Sequence, residues 1–231
     1  MSFDIEGHRV LRNLSADIAV RRLGIVGRNG SGKSTLARLL AGLVAPSGGQ
    51  MTLNGIDPAR DRRAALQEVG ILFQNPDHQI IFPTVLEEIA FGLVQTGLTQ
   101  AQAEDRARAT LESFDKAHWQ DAYVTRLSQG QKHLLCLMAV MAMAPRVLIL
   151  DEPFAGLDIP TRAQLQRYLG LYQGQLIHIT HDPGDLADYD HVLWLEQGGI
   201  HQSGAAAKVL AEYLRAMHDQ GEADDIADLA G

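Results

Sequence analysis

One cysteine in 231 residues, Cys136, leaves no internal disulfide possible. It sits in the apolar run Leu134–Leu137, where a buried, inert thiol is expected. There is no long Lys/Arg run, and the formal net charge is −8. A nucleic-acid partner held by phosphate neutralisation is therefore not expected. No uninterrupted apolar stretch reaches the roughly 20 residues that a bilayer span needs. Any membrane role is expected to come through a partner. The opening MSFDIEGHR is charged and does not read as a signal peptide, so a soluble, intracellular protein is expected. Internal repeats and low-complexity linkers are also missing. What is present is a 46% hydrophobic composition, enough for a sizeable core.

Strand and helix signals alternate at both ends of the chain. Leu23–Val26 is a short apolar run that ends in a glycine-rich turn, and Ser34–Ala41 then reads as a helix with Gly42 as its stop. Gly70–Phe73, Val147–Leu150, Gln175–Thr180 and Val192–Leu195 read as further strands. A wholly apolar strand such as Val147–Leu150 suits a parallel sheet covered on both faces. Between them the pattern is helical from Val85 to Phe114 and again over Leu134–Met143, which Pro145 ends. Thr99-Gln100-Ala101-Gln102 and Ser128-Gln129-Gly130-Gln131 look like capping boxes opening two of these helices. Ala205–Met217 reads as a last helix, with an acidic tail after Asp219. The expected fold is an α/β core made of residues 1–75 and 146–231, with a helical subdomain inserted at 76–145.

Two motifs carry chemistry. Gly27-Arg28-Asn29-Gly30-Ser31-Gly32-Lys33-Ser34, with Thr35 behind it, fits the phosphate-loop pattern between a strand and a helix. Its glycines let successive N–H groups turn inward as an anion nest, and the following helix adds its N-terminal partial charge. Lys33 is expected on the β- and γ-phosphates and Ser34 on Mg²⁺. Asp151 and Glu152 follow the apolar strand Val147–Leu150, at the edge where open parallel sheets bind ligands. Asp151 is expected to hold Mg²⁺ through water and Glu152 to act as general base on the attacking water.

Leu127-Ser128-Gln129-Gly130-Gln131 resembles the LSGGQ signature of ATP-binding-cassette proteins, and phosphate loop, signature and acidic pair come in that family's order. Phe73-Gln74 resembles the Q-loop, Gly156-Leu157-Asp158 the D-loop, and Thr180-His181-Asp182 the switch histidine. The resemblance implies a phosphate-loop NTPase core with a small antiparallel β subdomain. It also implies ATP and Mg²⁺ as ligands, and a dimer of two copies or of paralogues. Ser128, Gln129, Gly130 and Gln131 would then receive the γ-phosphate held by the other copy. Asp158 would lie at the dimer seam, His181 would contact the γ-phosphate and help fix Glu152, and Gln74 would reach the metal and the water. The other eight histidines receive no role. The sequence departs from the family at Gln129, which stands where the signature usually has glycine, and at Ile5, which stands where an aromatic usually stacks on adenine. Phe3 is the nearest aromatic, and it reads equally as a substitute there or as a core strand residue.

Gln74-Asn75-Pro76-Asp77-His78-Gln79-Ile80-Ile81-Phe82-Pro83-Thr84-Val85, continuing through Glu88 to Gly92, resembles the energy-coupling-factor importers, and within them the biotin ATPases. That resemblance implies a groove in which Ile80, Ile81, Phe82, Val85 and Ile89 supply apolar contact to a helix of a membrane scaffold subunit, some of the five belonging instead to the subdomain's own core. A substrate-binding membrane subunit would be engaged indirectly, at the cytoplasmic face of the membrane. A cobalt or nickel importer ATPase, a soluble cassette protein and a regulatory module without turnover are the alternatives.

Overall fold

Two tight hairpins show how local sequence starts the fold. Glu6 (φ 49) and Gly7 (φ 83) both take left-handed backbone, joining β1 (Phe3–Ile5) to β2 (His8–Leu11) as a small antiparallel sheet. Gln197 (φ 46) and Gly198 (φ 78) do the same between β7 (His191–Glu196) and β8 (Gly199–Ala205). The computed structural model describes residues 1–223. From residue 224 on, the expected acidic tail lies outside the described residues.

The main sheet also contains β3 (Arg22–Val26), β4 (Val69–Leu72), β5 (Val147–Asp151) and β6 (Gln175–Ile179), in the order β4-β5-β6-β3-β7-β8. All neighbours pair in parallel except β7 and β8. The period of 2 along a strand divides its side chains between two cores. Val147 and Ile149 face a cluster with Leu36, Ala37 and Leu39 of α1 (Lys33–Leu40). Leu148 and Leu150 face the opposite cluster, built from the helices on the other side. All four strand residues are 0% exposed. Burial of each such side chain contributes about 1.5–3 kcal/mol, which is why an uninterrupted apolar run forms a central strand here.

The other helices are α2 (Arg62–Glu68), α3 (Val85–Gln95), α4 (Gln100–Ser113), α5 (Gln129–Ala142), α6 (Ile159–Leu171) and α7 (Ala206–Ala223). Both expected capping boxes form, at Thr99/Gln102 and Ser128/Gln131. Gly42, at φ 70, follows the end of α1 as expected. Helix α5 stops at Ala142, ahead of Pro145, with Ala144 in left-handed backbone (φ 52). Helices α3, α4 and α5 pack on one another and on β4 through a single apolar cluster that includes Leu72, Ile89, Leu111, Leu135 and Leu150.

That packing sorts the groove residues named from the sequence into those of the protein's own core and those left exposed. Val85 and Ile89 are 0% exposed and belong to the protein's own core. They stand at i and i+4, so they share the face of α3 that turns toward α4 and α5. Ile80 is half-buried against the same core, and Phe82 is half-buried with its ring 5.0 Å from that of Phe91. Ile81 is 69% exposed, and Tyr123, at 54%, is the other large hydrophobic side chain exposed on this layer among the described residues. Thr84 and Tyr123 are paired across an isolated bridge.

Candidate active site

Four adjacent strands, β4-β5-β6-β3, end at the same edge of the sheet, and each delivers a candidate residue there. Gln74 follows β4, Asp151 and Glu152 close β5, His181 follows β6, and the phosphate loop follows β3.

The loop closes tightly on its surroundings. A Cβ on Gly27 would stand 2.3 Å from Leu195 O and 2.6 Å from Ser31 Oγ. Gly32 is at φ 97, a conformation that favours glycine, and a Cβ there would lie 2.5 Å from Leu11 Cδ2. Lys33 is buried at 7% exposure, and its ammonium donates to Gly27 O (2.6 Å) and Arg28 O (3.0 Å) across the loop. Burial lowers its pKa, against the opposing pull of Glu152 and Asp151. Ser31 Oγ is buried without a hydrogen-bond partner among the described residues. A loop with an ammonium resting on carbonyls and an unsatisfied hydroxyl suits an anion ligand such as a nucleotide phosphate. Arg28 Nη1 donates to Gln220 of α7 (3.1 Å), while Asn29 and Gly30 are exposed at the loop's tip and Thr35 is half-buried in α1.

Asp151 is 6% exposed and accepts a hydrogen bond from Ser34 Oγ at 3.1 Å. Burial raises its pKa most, and the Ser34 bond opposes this. Glu152 is held in left-handed backbone, φ 51, by its N–H bonding Ile179 O at 2.9 Å. Such a conformation costs a non-glycine residue roughly 1–3 kcal/mol and is found where geometry outranks local stability. Its Oε2 lies 2.8 Å from His181 Nδ1. Thus Ser34 meets Asp151, and Glu152 meets His181. The Asp151 carboxylate and the Ser34 hydroxyl are oxygen donors of the kind that would hold Mg²⁺ beside phosphates, while Glu152 is left to His181. No cluster of three or more acidic, histidine or cysteine side chains among the described residues suits a metal alone.

The signature residues and Asp158 make no hydrogen bond to the phosphate loop among the described residues. Ser128 caps α5: its Oγ accepts from Gln131 N at 3.3 Å, and its own N–H donates to Gln131 Oε1 at 2.8 Å. Gln129 is exposed in the first turn of α5, where the signature usually has glycine. The close approach is at Gly130, where a Cβ would stand 2.6 Å from Thr161 Cγ2. Thr161 N in turn donates to Asp158 Oδ1 at 2.9 Å, capping α6. Thr161 therefore stands between the signature and Asp158 of the D-loop within one chain. Phe3 packs against the core cluster of α1, and Ile5 is 46% exposed.

Two residues at the site received no role from sequence reasoning. Arg162 of α6 donates to Asp182 (3.3 Å) and to the buried carboxylate of Asp185, beside His181. His133, 1% exposed, places one ring nitrogen 3.1 Å from Gln74 O. Its only signal in the sequence is a polar residue at the start of an apolar helical run.

The arrangement is that of a phosphate-loop NTPase, with a carboxylate–histidine couple beside the loop. Comparison with known proteins gives the family: residues 11–155 match the ABC transporter family, and the chain belongs to it. It is an ATP-binding ATPase of that family. It is 50% identical over 218 residues to the biotin transport ATP-binding protein BioM of Rhodobacter capsulatus, covering 94% of this chain and 93% of that one. It is 34% identical over 218 residues to the energy-coupling factor transporter ATP-binding protein EcfA1 of Fusobacterium nucleatum, covering 92% and 83%. Among solved structures it resembles cbiO1 of Clostridium perfringens, part of the ABC transporter complex cbiONQ. That likeness has a TM-score of 0.76 and 29% identity, and covers 92% and 88% of the two chains. No helix among the described residues is long and apolar enough to cross a membrane.

Proposed function

We propose that this chain is the ATP-hydrolysing subunit of an energy-coupling-factor importer for biotin, working as a dimer on the cytoplasmic face of the membrane. The observation that carries the hydrolytic reading is the 2.8 Å contact between His181 Nδ1 and Glu152 Oε2, beside Lys33 and Asp151. The solute follows the name of the relative that is 50% identical.

In this reading, ATP with Mg²⁺ supplies the phosphoanhydride bond and the charge that steadies its cleavage. Lys33 leaves Gly27 O and Arg28 O for the β- and γ-phosphates, and the N–H groups of Gly27–Thr35 cradle the rest. Ser34, Asp151 and Gln74 would hold the metal. Glu152 accepts a proton from the attacking water, and His181 keeps its carboxylate aimed. Ser128–Gln131 of the second copy close the site, with Asp158 at the seam. The division into a core of residues 1–75 and 146–231 and a helical subdomain of 76–145 gives the closing motion its two bodies. Ile81 and Tyr123, both exposed on the helical layer, offer the scaffold subunit apolar contact. Binding of ATP favours the closed pair and loss of the γ-phosphate reopens it.

The test is Glu152→Gln in the assembled transporter. ATP should still bind and hold the two copies together, while hydrolysis and uptake of labelled biotin stop. Unchanged hydrolysis would remove Glu152 from its role. Uptake of labelled cobalt or nickel without biotin would move the solute to the alternative class.

A further inference from the structure

His133 stands in the first turns of α5, flanked by the signature on one side and the apolar run from Leu134 on the other. It is 1% exposed, in a position where an apolar side chain would pack without the cost of burying an imidazole. Both ring nitrogens face oxygen atoms. Nδ1 lies 3.1 Å from Gln129 O and Nε2 lies 3.1 Å from Gln74 O. Gln129 O, one helical turn back, is already served by the helix's own N–H. The tautomer with its proton on Nε2 therefore adds a bond where one is needed, at Gln74.

Gln74 opens the loop that runs from β4 to α3, and α5 holds that loop at other points. Lys132 Nζ meets Asp77 Oδ1 at 2.7 Å, and Cys136 Sγ lies 4.0 Å from Pro76 O. Those contacts hold the middle of the loop. His133 alone among these three reaches the backbone of Gln74 itself.

We infer that His133 is a positioning residue: it ties the Gln74 backbone to the first turn of the signature helix, so that signature and Gln74 side chain move as one. The inference rests on the proposed roles of Gln74 and the signature. When the second copy's nucleotide docks on Ser128–Gln131, any displacement of α5 is carried by the imidazole to Gln74 at the hydrolytic edge. A signature left empty holds Gln74 back in the same way.

The test uses the full chain in the assembled transporter and exploits two amides that mimic one ring nitrogen each. His133→Gln reaches the position of Nε2 and keeps the bond to Gln74 O. His133→Asn reaches only that of Nδ1 and loses it. His133→Asn should lower kcat for ATP about fivefold, the scale of one lost hydrogen bond, with KM for ATP within about twofold. His133→Gln should hold kcat near that of the parent. In a Gln74→Ala background, which keeps the carbonyl but removes the side chain being positioned, His133→Asn should cost nothing further. Equal kcat for the Asn variant and the parent would overturn the inference. So would a loss as large in the Gln variant, or one that persists in full over Gln74→Ala, since a merely structural role gives that pattern. Glu152→Gln, run alongside, separates the two readings. Normal hydrolysis there defeats the assignment of Glu152, whereas arrested hydrolysis with indifferent His133 variants defeats the tether alone.

Discussion

Replacing Gly130 by alanine tests how the signature is fitted to the D-loop within one chain. The added Cβ would stand 2.6 Å from Thr161 Cγ2 and 3.0 Å from Thr161 Oγ1. Carbon atoms pack at about 3.5–4.0 Å, so roughly 1 Å must be found. Thr161 yields poorly, because it is β-branched and its N–H bonds Asp158 Oδ1 at 2.9 Å. Overpacking of this kind costs about 1–3 kcal/mol. Alanine also gains up to about 1 kcal/mol over glycine in a helix, so the clash is the larger effect and Gly130→Ala should destabilise. A fall in melting temperature of about 2–10 °C follows for a chain of this size. Pushing Thr161 also shifts Asp158, so ATP-dependent pairing in a Glu152→Gln background, followed by size-exclusion chromatography, should weaken too. Thr161→Ala removes both clashing atoms. In that background Gly130→Ala should change sign and stabilise by up to about 1 kcal/mol, as only the helix gain remains. A Gly130→Ala protein that melts with the parent, or one that Thr161→Ala fails to restore, would refute the argument.

Two further outcomes follow from the same reasoning. His178 is buried, bonded through Nδ1 to the Tyr189 hydroxyl at 2.9 Å, and desolvation lowers its pKa from 6.5 to about 3. As pH falls below 6.5 the unfolded chain takes up a proton that the folded ring refuses until about pH 3, so stability drops through that window. Between pH 7 and pH 5 the loss is about 1–2 kcal/mol. Denaturant midpoints of His178→Gln should be less acid-sensitive by that amount, and equal sensitivity would clear His178 of the effect. Ile81→Asp should leave melting and the isolated chain's ATP hydrolysis unchanged while uptake and co-purification with the scaffold fall, because Ile81 is 69% exposed. Val85→Asp, at a position 0% exposed, should instead unfold the chain. Full co-purification of Ile81→Asp would place the docking contact elsewhere.

The parts of the fold that were legible are those whose causes are local. A glycine-rich turn between an apolar strand and a helix, a serine three residues before a glutamine, and five residues of unbroken β strand ending in Asp151 each state their own geometry. The groove was legible only in part. An apolar residue on one face of a helix has the same spacing whether its cover is the protein's own core or another chain, so Val85 and Ile89 could not be told from Ile81 before their neighbours were known. Glu152 shows the same limit at the site. Its identity follows from its place after the strand, but its left-handed backbone is imposed by Ile179 O on a different strand. The tether from His133 to Gln74 spans 59 residues of sequence, and no spacing rule relates the two. Residues that bind phosphate act within one turn of chain and leave a motif, because the loop must supply all its donors together. Residues that pass movement between elements need only meet across packed space, and nothing in their spacing along the chain obliges them to form a pattern.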